Sequence, residues 1–297
     1  MKKILISGLI NTETTVKVRK FPIDYYPIDY PFFGVQTAVS GVAYNIALAL
    51  TALGDEVRLL SMCGQDFQAA YIRSELQSKG IASDHIRPSL RETPSSAVLY
   101  DDSGKRQIYC DLKDIQETAY GFTDEQLLDA DLVVACNINF NRPLLARAKA
   151  MGKRIATDVH VLGNVRDDYN RDFMAAADIL FLSDEAVGER YCDFIMELAD
   201  TYTPQIIVMG RGGKGAAMYL RSSGRIYELP AVHVGEVVNT VGAGDALFSA
   251  FVHYFAKGMD PVECLKRAQI FASAKIGANG ASKGFISETA VEELLWN

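Results

Sequence analysis

Short apolar runs alternate with amphipathic stretches along most of this chain, and that alternation leaves few folds open. Residues 4–9, 56–62, 131–136, 154–158, 179–182 and 206–209 read as strands. Between them, residues 43–53, 67–79, 143–151, 171–177 and 185–199 read as helices. Strands this continuously apolar are covered on both faces. The pattern therefore predicts an α/β fold, a mostly parallel central sheet with helices on both faces in a three-layer sandwich. Glycines stand where helix C-caps need them, at Gly54, Gly80 and Gly152. Past residue 239, residues 242–257 and 261–276 read as two long helices.

Two segments break the alternation. Residues 14–39 carry Pro22, Pro27 and Pro31 among repeated aromatics, which prevents a helix and suits extended edges or turns. Residues 95–109 read as a hairpin turning near Asp102–Gly104. Both are β-like and separate from the α/β pattern, so the expectation is one domain over 1–297 with a discontinuous β insert at about 14–39 and 95–109.

Composition narrows the class. A chain of 297 residues can bury a large core as one α/β domain. A formal net charge of −7 argues against sequence-independent nucleic-acid binding, which needs a basic surface. No apolar run is long enough to span a membrane, and the apolar part of the N-terminus is too short for a signal peptide. The five cysteines are scattered and form no Cys-x-x-Cys pair, which reads as reduced thiols of a cytoplasmic protein.

The chemistry concentrates at Asn239-Thr240-Val241-Gly242-Ala243-Gly244-Asp245, which runs straight into an apolar helix. Small residues at a helix start leave backbone N–H groups bare, and the helix dipole adds positive potential. Gly242, Ala243 and Gly244 are thus a candidate anion hole. A carboxylate beside a bound phosphate repels it, so Asp245 points to proton chemistry on an acceptor hydroxyl. The plainer alternative is a first-turn acid on a glycine-rich loop.

This segment resembles the Asp-Thr-x-Gly-Ala-Gly-Asp signature of the PfkB/ribokinase family of sugar and nucleoside kinases. Other segments match in the family's order. Gly8-Leu-Ile-Asn-Thr-Glu13 is similar to its Gly-x-x-Asn-x-Asp substrate turn, and Ser40-Gly41-Val-Ala-Tyr-Asn45 to its Gly-Gly-x-x-x-Asn helix. Gly64-Gln-Asp66-Phe67 with Lys79-Gly80-Ile81 matches another landmark, and Gly212-Gly-Lys-Gly215-Ala216 resembles the nucleotide turn. The resemblance covers nearly the whole chain.

It implies a ribokinase-like fold whose β insert is a lid over the sugar, and an ATP-dependent kinase with Asp245 as base. Glu13, Ser40, Gly41 and Asn45 would bind the substrate, with Asn139 at a strand C-terminus beside them. Arg211, Gly212, Lys214 and Gly215 would meet the nucleotide, as would Asn279 in a run of small residues. Mg²⁺ would enter with ATP, near Asp158 and, through water, Glu185. The family's Asn-x-x-Glu motif would fall at Ser183-Asp184-Glu185-Ala186, where neither key position is kept. Asn239 replaces an aspartate that helps hold a monovalent cation, and an amide supplies no charge, which weakens the expectation of K⁺. The partners expected are a small sugar or nucleoside and ATP, with the lid as a homodimer contact. Two rivals remain: a nucleoside kinase on the same scaffold, suggested by the aromatic lid, and a non-catalytic sugar-binding relative.

Overall fold

The structure, a computed structural model, describes residues 1–296. The first half runs β1 (Lys3–Ser7), β2 (Asn11–Lys17), β3 (Val35–Ser40), α1 (Val42–Ala52), β4 (Glu56–Met62), α2 (Phe67–Ser78), β5 (Ile86–Arg87), β6 (Ser95–Tyr100) and β7 (Arg106–Asp111). It continues α3 (Asp124–Leu127), β8 (Leu132–Ala135), α4 (Arg142–Ala150), β9 (Ile155–Val161), α5 (Arg171–Ala176), β10 (Ile179–Ser183) and α6 (Tyr191–Thr201). The last part is β11 (Ile206–Gly210), β12 (Ala216–Leu220), β13 (Arg225–Leu229), α7 (Ala243–Ala256), α8 (Pro261–Lys275) and α9 (Glu288–Leu295).

Among the described residues the strands form two sheets. The larger has nine strands in the order β13-β12-β11-β10-β9-β8-β1-β4-β5. All its neighbours are parallel except the β11–β12 and β12–β13 pairs. Alternate residues of β1 feed opposite cores, Ile4 and Ile6 one, Leu5 the other. The first core gathers α1, α2, α7 and α8, and the second α4, α5 and α6, which gives the three layers. Apolar side chains on both faces are why β8 and β11 read as unbroken hydrophobic runs.

The smaller sheet, β3-β2-β6-β7, is the lid. Its β2–β6 pair is parallel and its two outer pairs antiparallel. The lid is wider than the expected 14–39 and 95–109: it begins at Asn11 and ends at Asp111, so Glu13 and Ser40 lie in it. Between Lys17 and Val35 the proline-rich chain forms no strand. The β6–β7 turn closes with Gly104 N–H on the Asp101 carbonyl at 3.1 Å.

One helix departs from expectation. Residues 185–199 do not form one helix, because Val187 and Gly188 fold back onto the Asp184 carbonyl and Gly188 takes φ 54°. A short 3₁₀ turn follows, and α6 starts only at Tyr191. The antiparallel β12 and β13 add an edge that the βα alternation does not contain.

Candidate active site

Parallel α/β sheets place ligands beyond the C-terminal ends of their strands, where the loops diverge. Two such ends meet here. Asn141 holds both, its Nδ2 donating to the carbonyls of Ser7 at 2.7 Å and Cys136 at 2.8 Å. Gly8 allows the close approach, since a Cβ there would stand 2.5 Å from Cys136 Sγ and 3.1 Å from Ala43. The middle of β9 supplies Asp158, whose Oδ1 accepts the His160 N–H at 2.7 Å, with His160 held at φ 59°. A non-glycine residue in that conformation is a local strain of the kind that gathers at functional sites.

The N-terminus of α7 faces these ends. Gly242 caps the helix at φ 79°, and a Cβ there would stand 2.8 Å from the Ala281 carbonyl oxygen. Around Gly244 a Cβ would meet nothing within 4 Å, so this side of the turn is open. Ala243 N–H is engaged with the Thr240 carbonyl at 3.1 Å. Among the described residues the N–H groups of Gly242, Gly244 and Asp245 have no backbone acceptor. Three donors at a helix start make an anion site.

Asp245 occupies the first turn of α7, and Asn45 Nδ2 donates to its Oδ2 at 2.8 Å. Burial pushes the Asp245 carboxyl above its ordinary range. The Asn45 bond and the charges of His160 and Lys275 pull it back, and Asp158 pushes it up again. Nearby, burial raises the Cys136 thiol, helped by Asp245 and Asp158, so it stays protonated and inert.

The lid carries further polar side chains singled out in the sequence. Glu13 sits on central strand β2 between Ala38 and Ser96. Ser40 Oγ donates to Glu13 Oε2 at 3.4 Å, and burial raises the Glu13 carboxyl. Gly41 has φ 109° and a Cβ there would lie 2.5 Å from the Leu9 carbonyl oxygen, so glycine is required where the lid enters α1. Asn11, the asparagine of the turn that resembles the Gly-x-x-Asn-x-Asp motif, lies in the same sheet, its Nδ2 donating to Ser96 Oγ at 3.1 Å. Asn11 Oδ1 and Asn45 Oδ1 are both buried acceptors with no partner. Asn139 stands apart: Gln116 and Arg142 engage both ends of its amide.

On the far side, Arg211 N–H closes a turn onto the Gly215 carbonyl at 2.8 Å, joining β11 to β12. Gly215 has φ 100°, and any Cβ there would run into the Leu229 carbonyl. Gly212, at φ 51°, opens the 3₁₀ turn between them. The Arg211 guanidinium lies 3.6 Å over the Tyr191 ring and pairs with Glu228 at 3.2 Å. Lys214 pairs with Glu189. Both cations therefore exchange a carboxylate if they meet a phosphate.

For metals the residues differ in fit. Asp158 keeps Oδ2 free of backbone bonds, 3.7 Å from His160 Nδ1, which suits a water-mediated contact to a divalent ion. Glu185 is exposed, and its neighbour Asp184 approaches Arg211 at 3.9 Å. Asn239 does not fit a monovalent cation. Its Oδ1 accepts the Val241 N–H at 2.8 Å and its Nδ2 donates to Asn279 Oδ1 at 2.9 Å. The Val241 carbonyl beside it accepts the ammonium of Lys275, a residue that sequence reasoning missed. Its signal was spacing: Ala268, Phe271 and Lys275 share one face of α8, and all are fully buried.

A buried carboxylate beside an open helix N-terminus, under a polar lid on a parallel α/β sheet, is the arrangement of a phosphotransferase for small hydroxyl compounds. Comparison with known proteins agrees. Residues 1–288 match the family model described as pfkB family carbohydrate kinase. The chain belongs to that family and is a phosphotransferase. It is 26% identical over 269 residues to a fructosamine kinase of Bacillus subtilis, covering 87% of this chain and 89% of the relative. It is 25% identical over 290 residues to an ATP-dependent ribose-1-phosphate kinase of Halopiger xanaduensis, covering 95% and 94%. Among solved structures, a microbiome-derived acarbose kinase superposes with a TM-score of 0.88 at 22% identity, covering 100% and 99% of the two chains. The nucleoside kinase of Methanocaldococcus jannaschii superposes at 0.81 and 20% identity, covering 100% and 98%. The structural likenesses show the ribokinase-like fold.

Proposed function

We propose that this chain transfers the γ-phosphoryl group of ATP to a hydroxyl of a sugar or sugar derivative. The observation that carries the reading is Asp245, held by Asn45 at 2.8 Å at a helix start where the N–H groups of Gly242, Gly244 and Asp245 have no backbone acceptor among the described residues. Asp245 accepts the proton of the acceptor hydroxyl, whose oxygen forms a bond to the γ-phosphorus. The bond from phosphorus to the β,γ-bridging oxygen breaks, and ADP leaves. The N–H groups of Gly242, Gly244 and Asp245 take up charge on the transferring oxygens. A divalent ion entering with ATP would supply further charge neutralisation, and Asp158 would be the residue to meet it through water.

Specificity for a polyol follows from the acceptors that line the lid side. Asn11 Oδ1, Asn45 Oδ1 and the Glu13 carboxylate all accept hydrogen bonds, and the first two have no partner among the described residues. Hydroxyl donors satisfy them, and leaving them unmet in a complex costs about 1–3 kcal/mol each. A nucleoside acceptor is the second reading, favoured by the exposed aromatics Tyr25, Tyr30, Phe32 and Phe33 between β2 and β3. A panel of sugars, amino-substituted sugars and nucleosides, assayed for ADP release and phosphorylated product, tests both. Turnover with nucleosides alone would replace the sugar reading, and turnover with none would remove it.

The same aromatics support a homodimer through the lid. No helix among the described residues is long and apolar enough to cross a membrane. With the reduced cysteines, we place the enzyme in the cytoplasm as one domain with a lid.

A further inference from the structure

Lys275 ends α8 and is fully buried, with 0% of its surface exposed. Lysines in a last helical turn normally extend their ammonium to water. This one instead donates to the Val241 carbonyl, and among the described residues no carboxylate pairs with it. Among the described residues the other two ammonium protons have no acceptor. An ammonium buried with a single neutral acceptor is costly, so packing alone does not account for it.

Its position relative to the anion turn does. In a continuing helix, the Val241 carbonyl is the acceptor for the N–H four residues on, that of Asp245. Lys275 takes that carbonyl, and the Asp245 N–H remains without a backbone acceptor. The following residue ties the same turn, since the Ile276 carbonyl accepts Val238 N–H at 2.9 Å and Asn239 N–H at 3.0 Å. Burial lowers the Lys275 pKa, and the Asp245 charge raises it in return.

We propose that Lys275 is the resident cation of the phosphoryl site, a positioning residue whose ammonium does the work of a diffusible monovalent cation. It holds the Val241 carbonyl beside the turn and fixes one positive charge there. The proposal rests on the kinase reading of that turn. It explains why Asn239 is tied up by Val241 and Asn279 rather than turned toward an ion.

The test uses the whole enzyme in buffers containing only tetramethylammonium, then with K⁺, NH₄⁺ or methylammonium added. Wild type should show the same kcat throughout. Lys275→Met, which keeps length but not charge, should lose roughly 10²-fold in kcat, the scale of a removed charge-stabilising donor. Lys275→Ala, which leaves room, should regain at least about tenfold with one of the added cations. A wild-type rate that rises about tenfold with K⁺ overturns the proposal, as does a Lys275→Met enzyme with unchanged kcat. So does a Lys275→Ala loss that no cation restores and that tracks a fallen Tm, which would mean plain packing. If wild type phosphorylates nothing in the panel, the kinase reading has failed separately. The melting shift given by inorganic phosphate then decides: present in wild type and lost in Lys275→Met supports the proposal, and equal shifts overturn it.

Discussion

Asn45 and Asp245 stand 200 positions apart in sequence, and the fold brings the Asn45 amide to 2.8 Å from the Asp245 carboxylate. The bond joins the first helix, entered from the lid, to the helix that carries the anion turn. It favours the charged form of a carboxyl whose pKa burial raises.

Asn45→Ala should therefore change the pH profile as well as the rate. Removing a bond that lowers the Asp245 pKa raises that pKa, so the acid limb of kcat moves to higher pH. At neutral pH kcat should fall, by less than the roughly 10²- to 10⁴-fold that loss of the base itself would cost. A pH–rate series on both enzymes checks it. An unshifted limb would mean that Asn45 does not tune the base.

Glu13→Ala should raise the KM for the acceptor while leaving nucleotide affinity unchanged. A lost hydrogen bond to a charged group is worth about 1.5–3 kcal/mol, or about 10- to 150-fold in KM. Steady-state kinetics with each substrate varied in turn measures the split. An acceptor KM unchanged by the substitution would take Glu13 out of the pocket.

Stability gives a test independent of turnover. Burial raises the Asp245 pKa in the folded state above its ordinary value. The folded protein thus binds this proton more tightly than the unfolded chain, and stability is lost as pH rises through the folded pKa. Asp245→Asn removes that penalty. The variant should melt above wild type at neutral pH, and the gap should close as pH falls toward the ordinary carboxylate range. Melting curves across pH would show it, and a variant that melts lower at neutral pH would make Asp245 a capping acid.

The lid bears on assembly. Tyr25, Phe32 and Phe33 are 88%, 85% and 97% exposed, a cluster that a monomer would hold in water. Phe32→Ser with Phe33→Ser should shift a dimer toward monomer in sedimentation velocity. A wild type that sediments as a monomer at high concentration would exclude the lid contact.

Much of this was legible in the chain. The bounds of strand 56–62 are legible because Gly54 and Gly64 stand on either side of an apolar run. The lid's pairing was legible from its prolines and hairpin turn, but its width was not. Nothing in Asn11-Thr12-Glu13 marks where β1 leaves one sheet and β2 joins another. The turn that leads into α7 was legible because Gly242, at φ 79° against the Ala281 carbonyl, is a local backbone requirement. Lys275 was not, since a lysine near a helix end looks solvated until the packing of α8 against the anion turn is known. Asn139 looked like a site residue because strand ends gather ligands, yet Gln116 and Arg142 engage it.

The most direct test is Asp245→Asn, which keeps size and hydrogen bonding but cannot take the acceptor proton. The expected result is a kcat lower by at least roughly 10²-fold, the scale of general-base loss, with nucleotide affinity held or tightened and a fold that melts no lower than wild type. A well-folded Asp245→Asn enzyme with near-normal kcat would contradict the account at its centre.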